Sequence, residues 1–211
     1  MSLSAFLPSR AISRIGVGAI SLLCLLAFTG CWVYSIEPLY EANLSHADPD
    51  LIFDQSLVGS WGQLEGNCLW ILTITGDQQA YDLKMAPAPE CKSQEKATEY
   101  AGHLVKLGNG RFLDVLPKSD EVCDLCLPLH TFLLVSQEND NLHLIPLDRD
   151  WLVQAMDEKK VTLTELERHG PFDQVTLTAS SVDLKKLIRQ YADDKDAFKA
   201  DSETKLTFKR R

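Results

Sequence analysis

The chain has 211 residues, 45% of them hydrophobic and 24% charged, which is the composition of an ordinary globular protein and enough for one domain beyond an N-terminal leader. Its net charge is −9. Residues 1–30 hold Arg10, Arg14 and no acidic residue, so without them −9 becomes −11. A surface that acidic excludes nucleic acid as a partner, because phosphate binding needs Lys and Arg to neutralise it. The one apolar run long enough to concern a membrane lies at the N-terminus.

Residues 1–30 have the three-part plan of a secretory signal. Arg10 and Arg14 give a positive start, Ile15 to Phe28 carry no charge, and Thr29-Gly30 supply small residues for cleavage. The run falls short of the about 20 apolar residues that cross a bilayer, which argues against an uncleaved anchor. Phe28-Thr29-Gly30-Cys31 resembles the lipobox of bacterial lipoproteins. The resemblance implies cleavage before Cys31, acylation of its thiol and new amine, and firm anchoring by several chains. Phe28 departs from the aliphatic residue usual there, and Cys24, preceded by Leu23, fits the pattern less well. Trp32 in place of Asp after the cysteine resembles the default sorting to the outer membrane, with the domain on its periplasmic face.

Residues 31–56 then read as the lipidated N-terminus and a short, mostly irregular tether, with Pro38 and Pro49 and no helical periodicity. Trp32, Tyr34 and Tyr40 suit either the headgroup region or the surface of the domain.

From Leu57 to Arg211 the chain is expected to form a single β-rich domain. Leu69 to Thr75 is β-branched and aromatic between two turn signals, and Ala80 to Met85 alternates. Thr98–Leu107 and Arg111–Leu116 flank Gly108-Asn109-Gly110, a hairpin signal. Leu129–Gln137 and Leu142–Leu147 form a second hairpin pattern. Strands at this spacing predict a mainly β, α+β fold: an antiparallel meander closing into a barrel or a curled sheet, with one or two helices of the C-terminal half packed on it. Its interior is expected to hold Trp70, Leu72, Phe112 and Leu133.

Helices are expected in the C-terminal half. Asp148 caps a predicted helix over Asp150–Met156, and Ser180 with Asp183 opens another whose Leu184, Leu187, Ile188 and Tyr191 form an apolar stripe. Val161–Glu167 reads as a strand, although Thr164 with Glu167 also fits a helix start. Gln174–Thr178 and Thr204–Lys209 read as further strands.

Cys68, Cys91, Cys123 and Cys126 remain beyond Cys24 and Cys31. An even number in an exported domain predicts two disulfides, with three connectivities open. The alternatives are a four-cysteine zinc site or a redox pair at Cys123-Asp124-Leu125-Cys126, but Pro128 and the following strand argue against a thioredoxin-type helix there. No histidine pair has ligand spacing; His103 and His143 are the two that could meet across the sheet. No nucleophile elbow, phosphate loop or paired catalytic carboxylate stands out, so neither enzyme activity nor a cofactor is expected.

Leu57-Val58-Gly59-Ser60-Trp61 resembles the G-x-W signature on the first strand of lipocalins and fatty-acid-binding proteins. That resemblance implies a barrel whose one end is closed by Trp61 under Arg210 or Arg211, with room for one small apolar ligand. Glu37-Pro38-Leu39-Tyr40, Asp50-Leu51-Ile52-Phe53-Asp54, His130-Thr131-Phe132-Leu133, Asp150-Trp151-Leu152 and Leu177-Thr178-Ala179-Ser180 resemble a family of uncharacterised bacterial lipoproteins along nearly the whole mature chain. The cysteines beyond Cys31 are this chain's own departure from it. These readings converge on a membrane-anchored module that binds a small apolar or lipid-like ligand. The rivals are an envelope scaffold with a solid core that contacts another protein, and a thiol or zinc protein.

Overall fold

Successive strands that alternate apolar and polar residues, joined by tight turns, pair with their chain neighbours before anything else can reach them. The computed structural model shows the outcome for residues 32–41, 48–78, 80–93, 95–118, 127–166, 175–199 and 204–211, which are the residues described here. β1 (Val33–Ser35) and β2 (Leu51–Ile52) belong to the N-terminal segment. Seven strands follow as a meander: β3 (Gly59–Glu65), β4 (Cys68–Asp77), β5 (Ala80–Pro87), β6 (Thr98–Leu107), β7 (Gly110–Lys118), β8 (Thr131–Glu138) and β9 (Asn141–Pro146). α1 (Arg149–Asp157), β10 (Glu165–Leu166), β11 (Val175–Leu177) and α2 (Ser181–Tyr191) come next, and β12 (Leu206–Arg210) is last.

β12 lies between β9 and β3, antiparallel to both, and thereby closes an eight-stranded antiparallel barrel. The α1-to-α2 region is an insertion between the seventh and eighth barrel strands. Register at the β6–β7 hairpin is set by Gly108, whose φ of 60° suits a residue without a Cβ. β2 continues the line of β5 along β6, pairing Leu51 with Val105 and Ile52 with Leu104.

Two hydrophobic cores result from the period-two geometry of the strands. Leu72, Leu83, Leu113, Leu133, Leu144 and Phe208 are buried inside the barrel. The alternate residues Val105, Phe112, Phe132 and Ile145 are buried in a second core with Leu152 and Ala155 of α1 and Leu184, Leu187 and Ile188 of α2. Phe112, expected in the interior, therefore belongs to the outer core, where its ring lies 5.3 Å from that of Phe198. Strands covered on both faces carry adjacent apolar residues such as Phe112-Leu113, so either one could be taken for the inward residue. Trp70 is half-buried and stands outside both buried clusters.

Both helices start where their caps dictate. The Asp148 carboxylate accepts from the Trp151 backbone N–H at 2.7 Å, and Ser180 Oγ accepts from Asp183 N–H at 3.3 Å. A small second sheet pairs β1 parallel to β11 and β10 antiparallel to β11. Of the strand expected over Val161–Glu167, Glu165–Leu166 is what pairs among the described residues, and Glu167 lies outside them.

The stretch expected to be a short, mostly irregular tether is docked on the barrel, the second of the two placements open to Trp32, Tyr34 and Tyr40. Leu39 is completely buried, β1 pairs with β11, and Ser35 exchanges backbone hydrogen bonds with His130 at 2.9 and 2.8 Å. Among the described residues no helix is long and apolar enough to cross a membrane.

Candidate functional site

The two ends of the barrel are built differently. At one end Trp61, fully buried, donates its indole N–H to the Leu57 carbonyl at 2.9 Å. The Arg210 guanidinium lies 4.6 Å from the Trp61 ring centroid and donates to the carbonyls of Ser56 (2.7 Å) and Val58 (3.0 Å). Gly59 explains the first position of the G-x-W motif. Its φ is 141°, and a Cβ there would stand 3.2 Å from Arg210 Nη2. Arg211 instead continues the backbone, its N–H bonding to the Ser60 carbonyl.

The same end is sealed further by Tyr81, whose ring stacks on Phe53 at 5.0 Å and whose hydroxyl accepts from the Asp54 N–H at 2.6 Å. Burial pushes the Tyr81 phenol above its ordinary value. The Asp54 carboxylate pairs with Arg111. Burial opposes its charge, but hydrogen bonds from Ser56 and the Arg111 guanidinium hold its carboxyl below the usual range.

The opposite end is open onto a cavity of about 340 Å³. Its walls come from inward positions of the barrel strands, among them Leu72, Leu83, Met85, Val115, Leu133 and Leu144. Its rim is formed by Trp32, Tyr34, Tyr100, Pro117 and Leu129. Among the described residues the lining holds no charged side chain. The hydroxyl of Thr131 is already donated to the Val33 carbonyl at 3.0 Å. Burial raises the phenols of Tyr34 and Tyr100, with Tyr34 raised further by Tyr100, so both face the cavity uncharged. The chemistry offered is an apolar bore with neutral phenols at its mouth. Its size is at the lower end of the about 300–1,000 Å³ usual for ligand pockets.

No protein-family model matches this chain, and neither does any curated protein or solved structure. The assignment of a site therefore rests on geometry.

A larger concavity of about 450 Å³ lies beside α1 and α2, between Trp151, Tyr191, Glu158, Lys160 and Lys199. Its cations are spent on neighbours, Lys160 on Glu158 at 2.5 Å and Lys199 on Asp148 at 2.9 Å. It lacks the apolar enclosure that strengthens binding, and the barrel cavity is the better candidate.

Cys68 and Cys91 form a disulfide, with Cα atoms 5.3 Å apart, that ties the start of β4 to the segment after β5. Cys31, Cys123 and Cys126 lie outside the described residues. Among the described residues no group of three or more His, Cys, Asp and Glu is arranged to hold a metal. His103 and His143 do not meet: β7 and β8 separate their strands, His103 packs on Tyr40 at 4.3 Å, and His143 Nδ1 pairs with Thr207 Oγ1 at 3.0 Å. Burial lowers the His103 pKa.

Two buried polar groups had no sequence signal. Asp114, on the outer face of β7, accepts from the Leu39 N–H at 2.6 Å and pairs with His130 Nδ1 at 2.6 Å. Asp48 is held by Lys185 of α2. Both pin the N-terminal segment, and through it Trp32 and Tyr34, against the barrel mouth.

Proposed function

We propose that this protein is a lipid-anchored, periplasm-facing lipoprotein whose barrel binds one small apolar or lipid-like ligand. The observation that carries this reading is the uncharged cavity at the open end of the barrel. An apolar chain entering it leaves water for an aliphatic surround, at about 25 cal/mol per Å² of buried area. The phenols of Tyr34 and Tyr100 are placed to hydrogen-bond a polar terminus at the mouth. A fatty acid, a fatty alcohol or one chain of a lysolipid has this shape. A whole diacyl lipid exceeds it.

Anchoring through Cys31, the leader ending at Gly30 and outer-membrane placement are carried by the sequence of residues 1–32. The scaffold reading requires a filled barrel, which the cavity disfavours. The thiol or zinc reading now depends on Cys123 and Cys126, since Cys68 and Cys91 are joined.

The test is to purify the full-length product from membranes and titrate it with cis-parinaric acid, a fluorescent single-chain fatty acid. Saturable one-to-one binding in the micromolar range or tighter is expected, together with acyl groups on Cys31 in the mass of the N-terminal peptide. Absence of saturable binding overturns the ligand reading, and an unmodified Cys31 overturns the anchoring.

A further inference from the structure

We propose that the open end of the barrel is a membrane-docking face, and that the cavity takes its acyl chain directly from the bilayer against which that face lies. This rests on the proposed function, both the acyl ligand and the lipid on Cys31, and adds the surface, its partner and the route of entry.

The first observation is how little chain separates anchor and mouth. Trp32, the residue bonded directly to Cys31 in the chain, is itself part of the rim. The next residues have no slack. Val33–Ser35 pair with β11, Ser35 is bonded to His130 and Val33 to Thr131. Acyl chains attached at Cys31 and inserted in a bilayer therefore draw the open end, and no other part of the domain, to the membrane surface.

The second observation is independent of Cys31. Among the described residues three large hydrophobic side chains are exposed: Leu64 (71%), Leu127 (58%) and Val182 (60%). Leu64 and Leu127 belong to the open end. Leu64 precedes the β3–β4 turn, three residues beyond Trp61 on β3 and away from the Gly59 end that Arg210 closes, and Leu127 is two residues before the rim residue Leu129. With Trp32, Tyr34 and Tyr100 they supply the aliphatic and aromatic groups that partition into an interface. Exposed acidic residues occur at both ends, Asp77, Glu138 and Asp140 at the sealed end and Glu65, Glu90 and Glu99 at the open end, so the exposed Leu64 and Leu127 are what set the open end apart. The Cys68–Cys91 disulfide braces the open end, so the groups that touch lipid are held on a rigid rim.

The experiment uses the lipidated full-length protein in phosphatidylcholine vesicles and, for comparison, in detergent micelles. Hydrogen exchange is expected to slow in vesicles at residues 64–67 and 127–130 and to stay unchanged at the turns 107–110 and 138–141. Protection at the sealed-end turns, or at neither end, overturns the docking face. In the same vesicles loaded with cis-parinaric acid, the double variant Leu64→Asp/Leu127→Asp is expected to take up the probe at least tenfold more slowly. Its equilibrium affinity for probe added to micelles should stay within twofold of the parent, because neither residue lines the cavity. Equal uptake rates overturn entry from the bilayer while leaving ligand binding intact. Failure of the parent itself to bind the probe in micelles is instead the failure of the proposed function, and the exchange pattern then still decides the docking face.

Discussion

Lys185 of α2 donates to both carboxylate oxygens of Asp48, at 3.0 and 2.8 Å, across 137 positions of the chain. The same ammonium lies 2.6 Å from Asp50, which Arg189 also reaches at 2.5 Å. Asp48 further accepts the backbone N–H groups of Glu41 and Asp50. Burial resists charge on both partners, but the hydrogen bonds and mutual attraction outweigh it. Asp48 is held below its ordinary 3.8 and Lys185 above its ordinary 10.5. The Asp48 contribution to stability is therefore complete above pH 3.8 and is lost as pH falls through the lower folded value. The Lys185 contribution is complete below pH 10.5 and is lost as pH rises through the higher folded value. Lys185→Met strands a buried carboxylate and should cost about 3–5 kcal/mol at neutral pH. Urea midpoints measured from pH 7 downward should show that deficit shrinking in acid, as protonation neutralises Asp48. A deficit independent of pH would show that the pair is not its source.

Replacing Arg210 with Ala removes the cation over Trp61 and both carbonyl contacts. Arg210 is exposed to solvent, which screens it, so the expected loss is about 1–2 kcal/mol. Arg210→Lys keeps the charge without the two-pronged geometry and should recover less than half of that loss. Equilibrium unfolding in urea measures both. Trp61→Ala leaves a buried void and should cost more, about 3–5 kcal/mol.

Filling the cavity separates binding from folding. Met85 is half-buried on the cavity wall, and Met85→Trp places a larger ring in the existing space. The affinity for cis-parinaric acid should fall at least tenfold, equivalent to about 1.4 kcal/mol. The melting temperature should move by only a few degrees. An unchanged affinity would place the probe elsewhere on the protein.

The Cys68–Cys91 bond closes a loop with a sequence separation of 23. Converting both cysteines to serine should lower stability by about 2–4 kcal/mol, seen as a lower urea midpoint.

The strands of the meander were legible because each carries its own local signal: alternation, β-branched residues, and turns such as Gly108-Asn109. The caps at Asp148 and Ser180 were legible for the same reason, since a cap and the N–H it binds are three residues apart. The docked N-terminal segment was not. What holds it are contacts such as Leu39 with Asp114 and Asp48 with Lys185, separated by 75 and 137 positions, and a lone acidic residue gives no sign of a partner that distant. The outer core was half visible. Runs such as Phe132-Leu133-Leu134-Val135 are apolar on both faces, and the stripe of the second predicted helix calls for a sheet face to cover, but adjacent apolar residues do not say which of them points inward. The cavity itself had no linear signature, because its walls are inward positions of strands spread from Leu72 to Phe208. Its rim residues Trp32 and Tyr34 suit either the headgroup region or the domain surface on sequence alone, and nothing local ties them to a barrel mouth.

The placement of β12 governs the order in which the molecule can assemble. Seven barrel strands pair with a neighbour a short turn or loop away, but the seam between β9 and β3 waits for a strand that follows the whole α1-to-α2 insertion. Closing so long a loop is the slowest contact entropy allows, so the curled seven-stranded sheet should precede the barrel and the docking of β12 should set the folding rate. Until β12 arrives, β3 and β9 are bare edges flanking an exposed apolar concavity, the state most open to aggregation and to holding chaperones. Arg210, bonding to Ser56 and Val58 as β12 docks, is then the latch that ends that exposure.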